Sequence, residues 1–195
     1  MRNMSRLFRH ALAVFFLLAG IGTIVQAQDQ GPMIIEATAM GTSTQMGKMV
    51  PVNINIDQFS TQEDRKTLID AFKRSGQDGL VDALYHMKGK GRFRTPYGVG
   101  NEVKYIFELP PDKGRRHIRL VTDRRITFGE AFASPRSKEY SVGAVELFLT
   151  PDGKDSEGTA LPACKLTVDK KTQQIEIETY QNPWKLTNLM ISKKQ

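Results

Sequence analysis

The sequence has only one cysteine, Cys164, among its 195 residues. A single cysteine cannot form an internal disulfide, and it excludes a zinc site built on several thiolates. The flanking segment LPACKLTV is typical of a buried strand, where cysteine acts as a small apolar residue. We therefore expect the fold to be stabilised by its hydrophobic core alone.

Recognised catalytic motifs are also lacking. The chain has no G-x-S-x-G segment, no H-E-x-x-H pair and no phosphate-binding glycine loop. The chain therefore lacks the local signatures of nucleophile-elbow hydrolases, of zinc metalloproteases and of phosphate-loop nucleotide-binding proteins. Long apolar runs are equally scarce, because only ALAVFFLLAGIGTI (Ala11 to Ile24) stands out, and no later stretch is apolar enough to cross a membrane.

The N-terminus has the pattern of a secretory signal peptide. Arg2, Arg6 and Arg9 precede the apolar run, which is short for a membrane-spanning helix, and VQA supplies the residues before cleavage. The sequence thus predicts a signal over residues 1–27 and an exported, periplasmic or secreted protein, with retention as an anchor as the alternative. Loss of these three arginines lowers the formal charge from +7 to +4, which does not indicate nucleic acid as a partner.

The rest of the chain is expected to form one domain. Residues 28–48 suggest a mobile leader or an irregular first strand, and residues 49–195 a single β-rich domain that begins with the alternating segment MVPVNINIDQF. A helical periodicity then predicts a helical hairpin at about 60–88, with Ser60 and Glu63 as its capping box and Gly76 between the helices.

From Gly91 onward, short alternating segments are separated by turn-like connections. The candidate strands are GRFRTPY, EVKYIFEL, RHIRLVTD, RITFGEAF, YSVGAVELFLT, TALPACKLTVD, TQQIEIETY and WKLTNLMIS. Short connections favour antiparallel neighbours. The predicted fold class is α+β, predominantly antiparallel β with about eight strands and one inserted helical hairpin, and both a barrel and a sandwich remain open.

His117 is the most suggestive titratable residue. A hairpin turn centred on Asp112 would place Glu108 opposite His117, with the imidazole on a solvent-facing side of the strand. A modest cross-strand charge pair explains this arrangement without catalysis. The alternative is a hydrolase site that combines His117 with Glu108, Asp123 or Glu130.

Arginines crowd the same region. Arg115, Arg116, Arg119, Arg124 and Arg125 lie close together in sequence and form a candidate site for phosphate, a glycan carboxylate or an acidic lipid headgroup. The competing interpretation is a solvated rim that keeps an exported protein soluble.

No metal or cofactor is predicted. The carboxylates of PDGKDSEG do not match the calcium-binding spacing of an EF-hand loop. Met40, Met46 and Met49 could offer Cu(I) soft thioether ligands, but their spacing is loose and no histidine is adjacent. Core filling is the usual role of methionine.

Five segments together resemble a group of exported bacterial proteins with no assigned activity. They are STQEDRKTLIDAF, RLVTDRRITFGE, YSVGAVEL, GTA and NPWKLTNL. The resemblance implies export and a single domain and transfers no site residues; Arg125 departs from it, since proline is expected after TDR.

The sequence therefore predicts an exported binding or structural module without catalytic activity. Its partner would be an anionic ligand or a component of the cell envelope. A hydrolase is one alternative, and a small-ligand carrier with a hollow β-barrel is another. The carrier would use aromatic residues such as Phe93, Phe128 and Trp184 to line a cavity, although the same residues could fill a core.

Overall fold

The computed structural model describes residues 31–96, 98–128, 140–169, 171–179 and 182–194. The predicted signal peptide lies outside these residues. Within these described residues, one α-helix, α1 (Gln62–His86), follows the second of nine strands. The strands are β1 (Met33–Met40), β2 (Met49–Ile56), β3 (Gly91–Arg94), β4 (Asn101–Asp112), β5 (Arg115–Thr122), β6 (Val142–Leu149), β7 (Glu157–Val168), β8 (Ile175–Thr179) and β9 (Trp184–Lys193).

Eight of the strands form a closed antiparallel barrel. Their order is β6-β5-β4-β3-β2-β1-β9-β7, and pairing of β6 with β7 closes the ring. β9 pairs with the first part of β7, at Gly158–Ala160, and β8 pairs with the last part, at Cys164–Val168. β8 is thus a ninth strand beside the barrel. The predominantly antiparallel β fold is confirmed, and the structure specifies a barrel.

β1 corrects the expectation of a mobile leader or an irregular strand before residue 48. It is a regular strand that pairs with β2 on one edge and with β9 on the other. Met33, Ile35, Ala37 and Ala39 point into the barrel and are buried. The alternation is weak in the sequence because two of these inward residues are alanines and the outward Met40 is apolar.

The predicted helical hairpin corresponds to α1, which a sharp break at the predicted position divides into two helical segments. Ser75 (φ −138°) and Gly76 (φ 60°, ψ −146°) leave the helical conformation in the middle of α1. Leu68, Leu80 and Leu84, from both sides of the break, are buried against the outside of the barrel. Both parts of α1 therefore contribute to one apolar face.

Helix α1 begins one residue later than the sequence predicts. The N-cap is Thr61, whose Oγ1 accepts from the backbone N–H of Asp64 while the Asp64 carboxylate accepts from the N–H of Thr61. Ser60 is already paired with β4, because its N–H donates to the carbonyl of Ile106 and its Oγ accepts from the N–H of Ile106. The capping box moves to Thr61 and Asp64 as a consequence.

Two apolar cores lie on opposite sides of the barrel wall. The inner core fills the barrel and includes Ile35, Ile54, Ile118 and Leu120, none of which has exposed surface. The outer core lies between α1 and the outward faces of β4 to β7, and it contains Cys164. Because those inner side chains have no accessible surface, no water-sized void borders them.

The described part of the segment after β5, which ends at Phe128, covers one end of the barrel and is not a strand; residues 129–132 of the predicted strand RITFGEAF lie outside the described residues. The N–H of Ile126 donates to the carbonyl of Pro162, and Arg125 to Phe128 adopt no strand conformation. Phe128 stacks on Trp184 with ring centroids 4.2 Å apart and meets Phe93 edge-on. We call this the closed end, and the aromatic residues there fill a core.

Candidate functional site

The β4–β5 hairpin is one residue out of the register predicted from sequence. Its turn is Lys113–Gly114, with φ of 51° and 78°, so Asp112 pairs with Arg115. Two consecutive left-handed residues form the tight turn that suits a twisted hairpin. After an irregularity between Leu109 and Asp112, His117 faces Leu109 instead of Glu108. A one-residue shift moves a side chain to the other face of a strand, and this separates the two predicted partners.

His117 lies on the outer side of the barrel, in a partly desolvated position. Its ring stacks on Phe148 with centroids 4.3 Å apart, and its side chain is 15% exposed. Nε2 is 3.8 Å from Oε2 of Glu146 and forms no hydrogen bond within the part of the chain that the structure describes. Burial lowers the pKa of His117 below 6.5, although the Glu146 carboxylate opposes that effect. The imidazole therefore behaves mainly as a neutral aromatic ring.

Glu146 is the neighbour of His117 that sequence reasoning missed. It lies on β6 directly opposite Arg119. The Nε of Arg119 donates to its Oε1 at 2.7 Å, and Nη2 of the same guanidinium donates to that oxygen as well. The alternation of YSVGAVELFLT could have placed Glu146 on the same face as Phe148, but the strand neighbour of β5 was not known.

The proposed hydrolase residues are not assembled around His117. Glu108 points into the barrel, on the opposite face of the wall. Asp123 follows the other end of β5, about 20 Å away at the rise of an extended chain. Its Oδ1 accepts from the N–H of Glu102 at 3.1 Å. Glu130 lies outside the described residues.

Two of the predicted anion-binding arginines hold carboxylates on the outer wall. Arg115 donates to Glu157 at 2.7 Å and to Asp112 at 3.0 Å. Arg119 binds Glu146 and also donates from Nη1 to the carbonyl of Ile175 on β8. These guanidinium groups cross-link neighbouring strands, so an anion would have to compete with existing partners.

Arg124 and Arg125 lie at the closed end, away from the other three. Arg124 donates to the Asp123 carboxylate and to the carbonyl of Gly100. The Nε of Arg125 donates to the carbonyl of Tyr140 at 2.6 Å. The five arginines are therefore divided between the two ends of the barrel and between the two faces of its wall. Anion binding by all five arginines as one site stays a prediction.

Arg116 is the member of the run that faces the barrel interior. Its Nε donates to Oε1 of Glu108 at 3.0 Å, and its guanidinium lies 5.2 Å from the ring centroid of Phe59. The side chains of Arg116 and Glu108 are only 14% and 18% exposed. Oε2 of Glu108 is buried and has no hydrogen-bond partner in the described residues. Arg116 and Glu108 thus form a polar pair just inside the barrel, at the end opposite the closed end.

We call this end of the barrel the open end. It carries a concave groove of about 890 Å³. Residues 150–154, between β6 and β7, form one wall, and the last residues of β9 form another. The groove combines an apolar surface with basic side chains. The apolar residues include Met33, Leu149 and Leu189, and the basic residues are Arg116, Lys154, Lys193 and Lys194.

The charges of the open end are partly balanced. Glu108 offsets Arg116, and Asp57 binds Lys194 with its Oδ1 2.7 Å from Nζ. Among the described residues that line the groove, Lys154 and Lys193 are the other basic residues and Asp152 is the acidic one. Basic residues therefore outnumber acidic residues in this lining.

A second groove, of about 740 Å³, lies on the outer face of β1, β2 and β9 next to residues 94–96. It adjoins an irregularity in the β1–β9 pairing where Asn188 has a φ of 55°. Glu36 and Arg94 are its charged residues. His117 lines neither groove.

No group of three or more histidine, cysteine or acidic side chains in the described residues is arranged to hold a metal ion. Cys164 is buried, and burial raises the pKa of its thiol to about 12. Within the same part of the chain, no helix has both the length and the apolar character needed to span a membrane.

Comparison with known proteins gives no relative: no family model, no curated protein and no solved structure matches this chain.

Proposed function

We propose that this protein is an exported, non-catalytic binding module whose open end holds a small amphipathic anion, with an apolar body and one carboxylate or phosphate group. The observation that carries the proposal is the groove at the open end, where an apolar surface meets basic side chains. Mouths of β-barrels are frequent ligand sites, and such sites combine apolar walls with a few well-placed polar groups.

The filled interior supports binding at the mouth. Ile35, Ile54 and Leu120 leave no space for a ligand deeper in the barrel. Near the mouth the lining changes, because Arg116 and Glu108 replace purely apolar side chains. An apolar body would therefore contact Ile191, which is 39% exposed, and the small accessible parts of Met33 and Leu149, and its charged end would face the basic rim. This arrangement favours a mouth-binding module over a carrier that encloses its ligand.

The distribution of titratable groups supports a non-catalytic role. Catalysis requires an acid or base in a cleft together with an oriented partner. His117 is stacked on Phe148 outside both grooves, and neither Glu108 nor Asp123 lies beside it.

Ligand binding is tested with decanoate and decanol, which share a chain and differ in charge. Decanoate should displace bound anilinonaphthalene sulfonate, measured as a loss of the dye's fluorescence. A double variant, Lys154→Gln with Lys193→Gln, should bind decanoate about two- to thirtyfold more weakly, since two rim charges contribute about 0.2–1 kcal/mol each. Binding of decanol should be unchanged. Decyl phosphate in place of decanoate distinguishes a carboxylate from a phosphate headgroup.

Lys185→Gln is the matched control, because Lys185 is an exposed lysine at the other end of β9. Backbone amide resonances of residues 150–154 and 189–194 should shift on addition of decanoate. Absence of these shifts, or equal weakening by the control, would contradict the proposal.

Export is tested separately. Expression of the full chain in a bacterium should yield a mature protein in the periplasmic or secreted fraction that begins at Gln28, as measured by intact mass. A full-length product retained in the membrane would support the anchor instead.

A further inference from the structure

The β1–β2 hairpin brings two methionines face to face on the outside of the barrel. Met40 and Met49 are directly paired at the end of the ladder. The N–H of Gly41 donates to the carbonyl of Lys48 at 2.9 Å, so the pair next to it is a non-hydrogen-bonded pair. In such a pair the Cα atoms are only about 4.5 Å apart and the side chains are close. The two thioethers can therefore reach a common point.

A third methionine lies in the loop that connects these strands. The loop is locally ordered, because the N–H of Met46 donates to the carbonyl of Ser43 and the N–H of Lys48 donates to the carbonyl of Gln45. Met46 is 79% exposed, Met49 is 64% exposed and Met40 is 39% exposed. Methionine is normally a buried residue, so three exposed side chains on one hairpin are unusual.

We propose that this hairpin is a site for a soft monovalent metal ion, Cu(I), held by the thioether sulfurs of Met40, Met46 and Met49. Thioethers select Cu(I), and the unbranched methionine side chain is flexible enough to converge on an ion. Met40 and Met49 are separated in sequence, but the register of the hairpin places them opposite each other. The proposal is independent of ligand binding at the open end, since β1 runs from that end to this hairpin.

The surroundings favour a monovalent over a divalent ion. No carboxylate or imidazole occurs between Met40 and Met49, so the hard and borderline ligands preferred by Ca²⁺ and Zn²⁺ are missing from the hairpin. Lys48 precedes Met49, and Lys185 pairs with Met40 from β9. Repulsion from these ammonium groups grows with the charge of the ion.

The test is competition for Cu(I) against the chromogenic chelator bicinchoninate under anaerobic conditions. The full mature protein should withdraw Cu(I) from the chelator, and Zn²⁺ added in excess should not reduce this. Met49→Leu, or Met40→Leu, should lower the affinity at least about tenfold, because even outer-shell partners are worth about 10–100-fold in metal affinity. Leucine conserves side-chain volume, so the fold should be kept, as circular dichroism can verify.

Met190→Leu provides the control. Met190 is 65% exposed on the same side of the barrel but pairs with Glu36, about 13 Å along β1 from Met40. Its replacement should leave Cu(I) affinity unchanged. In NMR spectra of protein with ¹³C-labelled methionine methyl groups, Cu(I) should shift the methyl resonances of Met40, Met46 and Met49. The resonance of Met190 should not shift. Failure to compete with the chelator, or equal losses for Met190→Leu and Met49→Leu, would overturn the proposal.

Discussion

Arg116 donates from its Nε to Oε1 of Glu108 across 3.0 Å, just inside the open end of the barrel. Both side chains are more than four-fifths buried, so neither charge is well solvated. The pair stands where the apolar interior gives way to solvent. The guanidinium of Arg116 also lies over the ring of Phe59, and Arg116 lines the groove.

Breaking this pair should destabilise the barrel more than removing both charges. Arg116→Met leaves the Glu108 carboxylate without its partner and should lower the free energy of unfolding by about 1–3 kcal/mol. The double variant Arg116→Met, Glu108→Leu should recover most of that loss, because an apolar replacement removes the desolvation cost. Urea unfolding of the single and double variants measures both effects. Lys66→Met, which breaks an exposed pair with Asp70, should change stability little. A double variant less stable than Arg116→Met would refute this account.

His117 should make the protein less stable in mild acid. Burial lowers its pKa in the folded state below 6.5, so the unfolded chain takes up the proton first as the pH falls. The contribution of neutral His117 is present above pH 6.5 and is lost as the pH falls from there toward the folded-state pKa. His117→Gln should therefore flatten the dependence of unfolding free energy on pH as the pH falls below about 6.5.

If Glu146 outweighed burial, His117→Gln would change the slope in the opposite direction, and the present assignment of a neutral imidazole would be wrong.

Gly91 should not tolerate a side chain. A Cβ atom at this position would lie 2.2 Å from the backbone carbonyl oxygen of Asn55, so β2 and β3 would have to move apart. Gly91→Ala should lower the free energy of unfolding by about 1–3 kcal/mol, the usual cost of overpacking. Gly98→Ala is the control, because the nearest atoms to its added Cβ are 3.8 Å away, and it should stay within about 0.5 kcal/mol of the parent. Equal stability of the two variants in urea would exclude a steric cause.

Cys164 should be inert in the folded protein. Its thiol is buried in the outer core, and burial raises its pKa to about 12, so almost no thiolate forms at neutral pH. Iodoacetamide at about pH 8 should label it only as fast as the protein unfolds. A cysteine introduced by Val99→Cys in a Cys164→Ala background should react rapidly, since Val99 is 80% exposed. Rapid labelling of the native Cys164 would contradict its burial.

Local patterns predicted the individual strands well because the strands carry local signals of their own. Apolar residues recur at every second position in β2 and β8, whereas β6 and β7 are marked by apolar-rich runs between turn residues. β1 was less clear, since Ala37 and Ala39 contribute little hydrophobic contrast. The cap of α1 shifted from Ser60 to Thr61 because Ser60 bonds to Ile106, which is distant in sequence.

The candidate site was harder to predict, because it depends on strand register and on strand neighbours. The turn at Lys113–Gly114 separated Glu108 from His117 and joined Glu108 to Arg116 inside the barrel. Glu146 came next to His117 only because β6 pairs with β5. The groove at the open end uses residues from both ends of the domain, which no local pattern connects.

Sequence alone determined that this chain forms short antiparallel strands around an apolar core, because alternation and turn residues act within a few positions of each other. Closure of the barrel, and the choice of which charged groups face inward, were decided by the tertiary structure. The physical reason is that backbone hydrogen bonds between distant strands set the register, and a shift of one residue exchanges the buried and the exposed face.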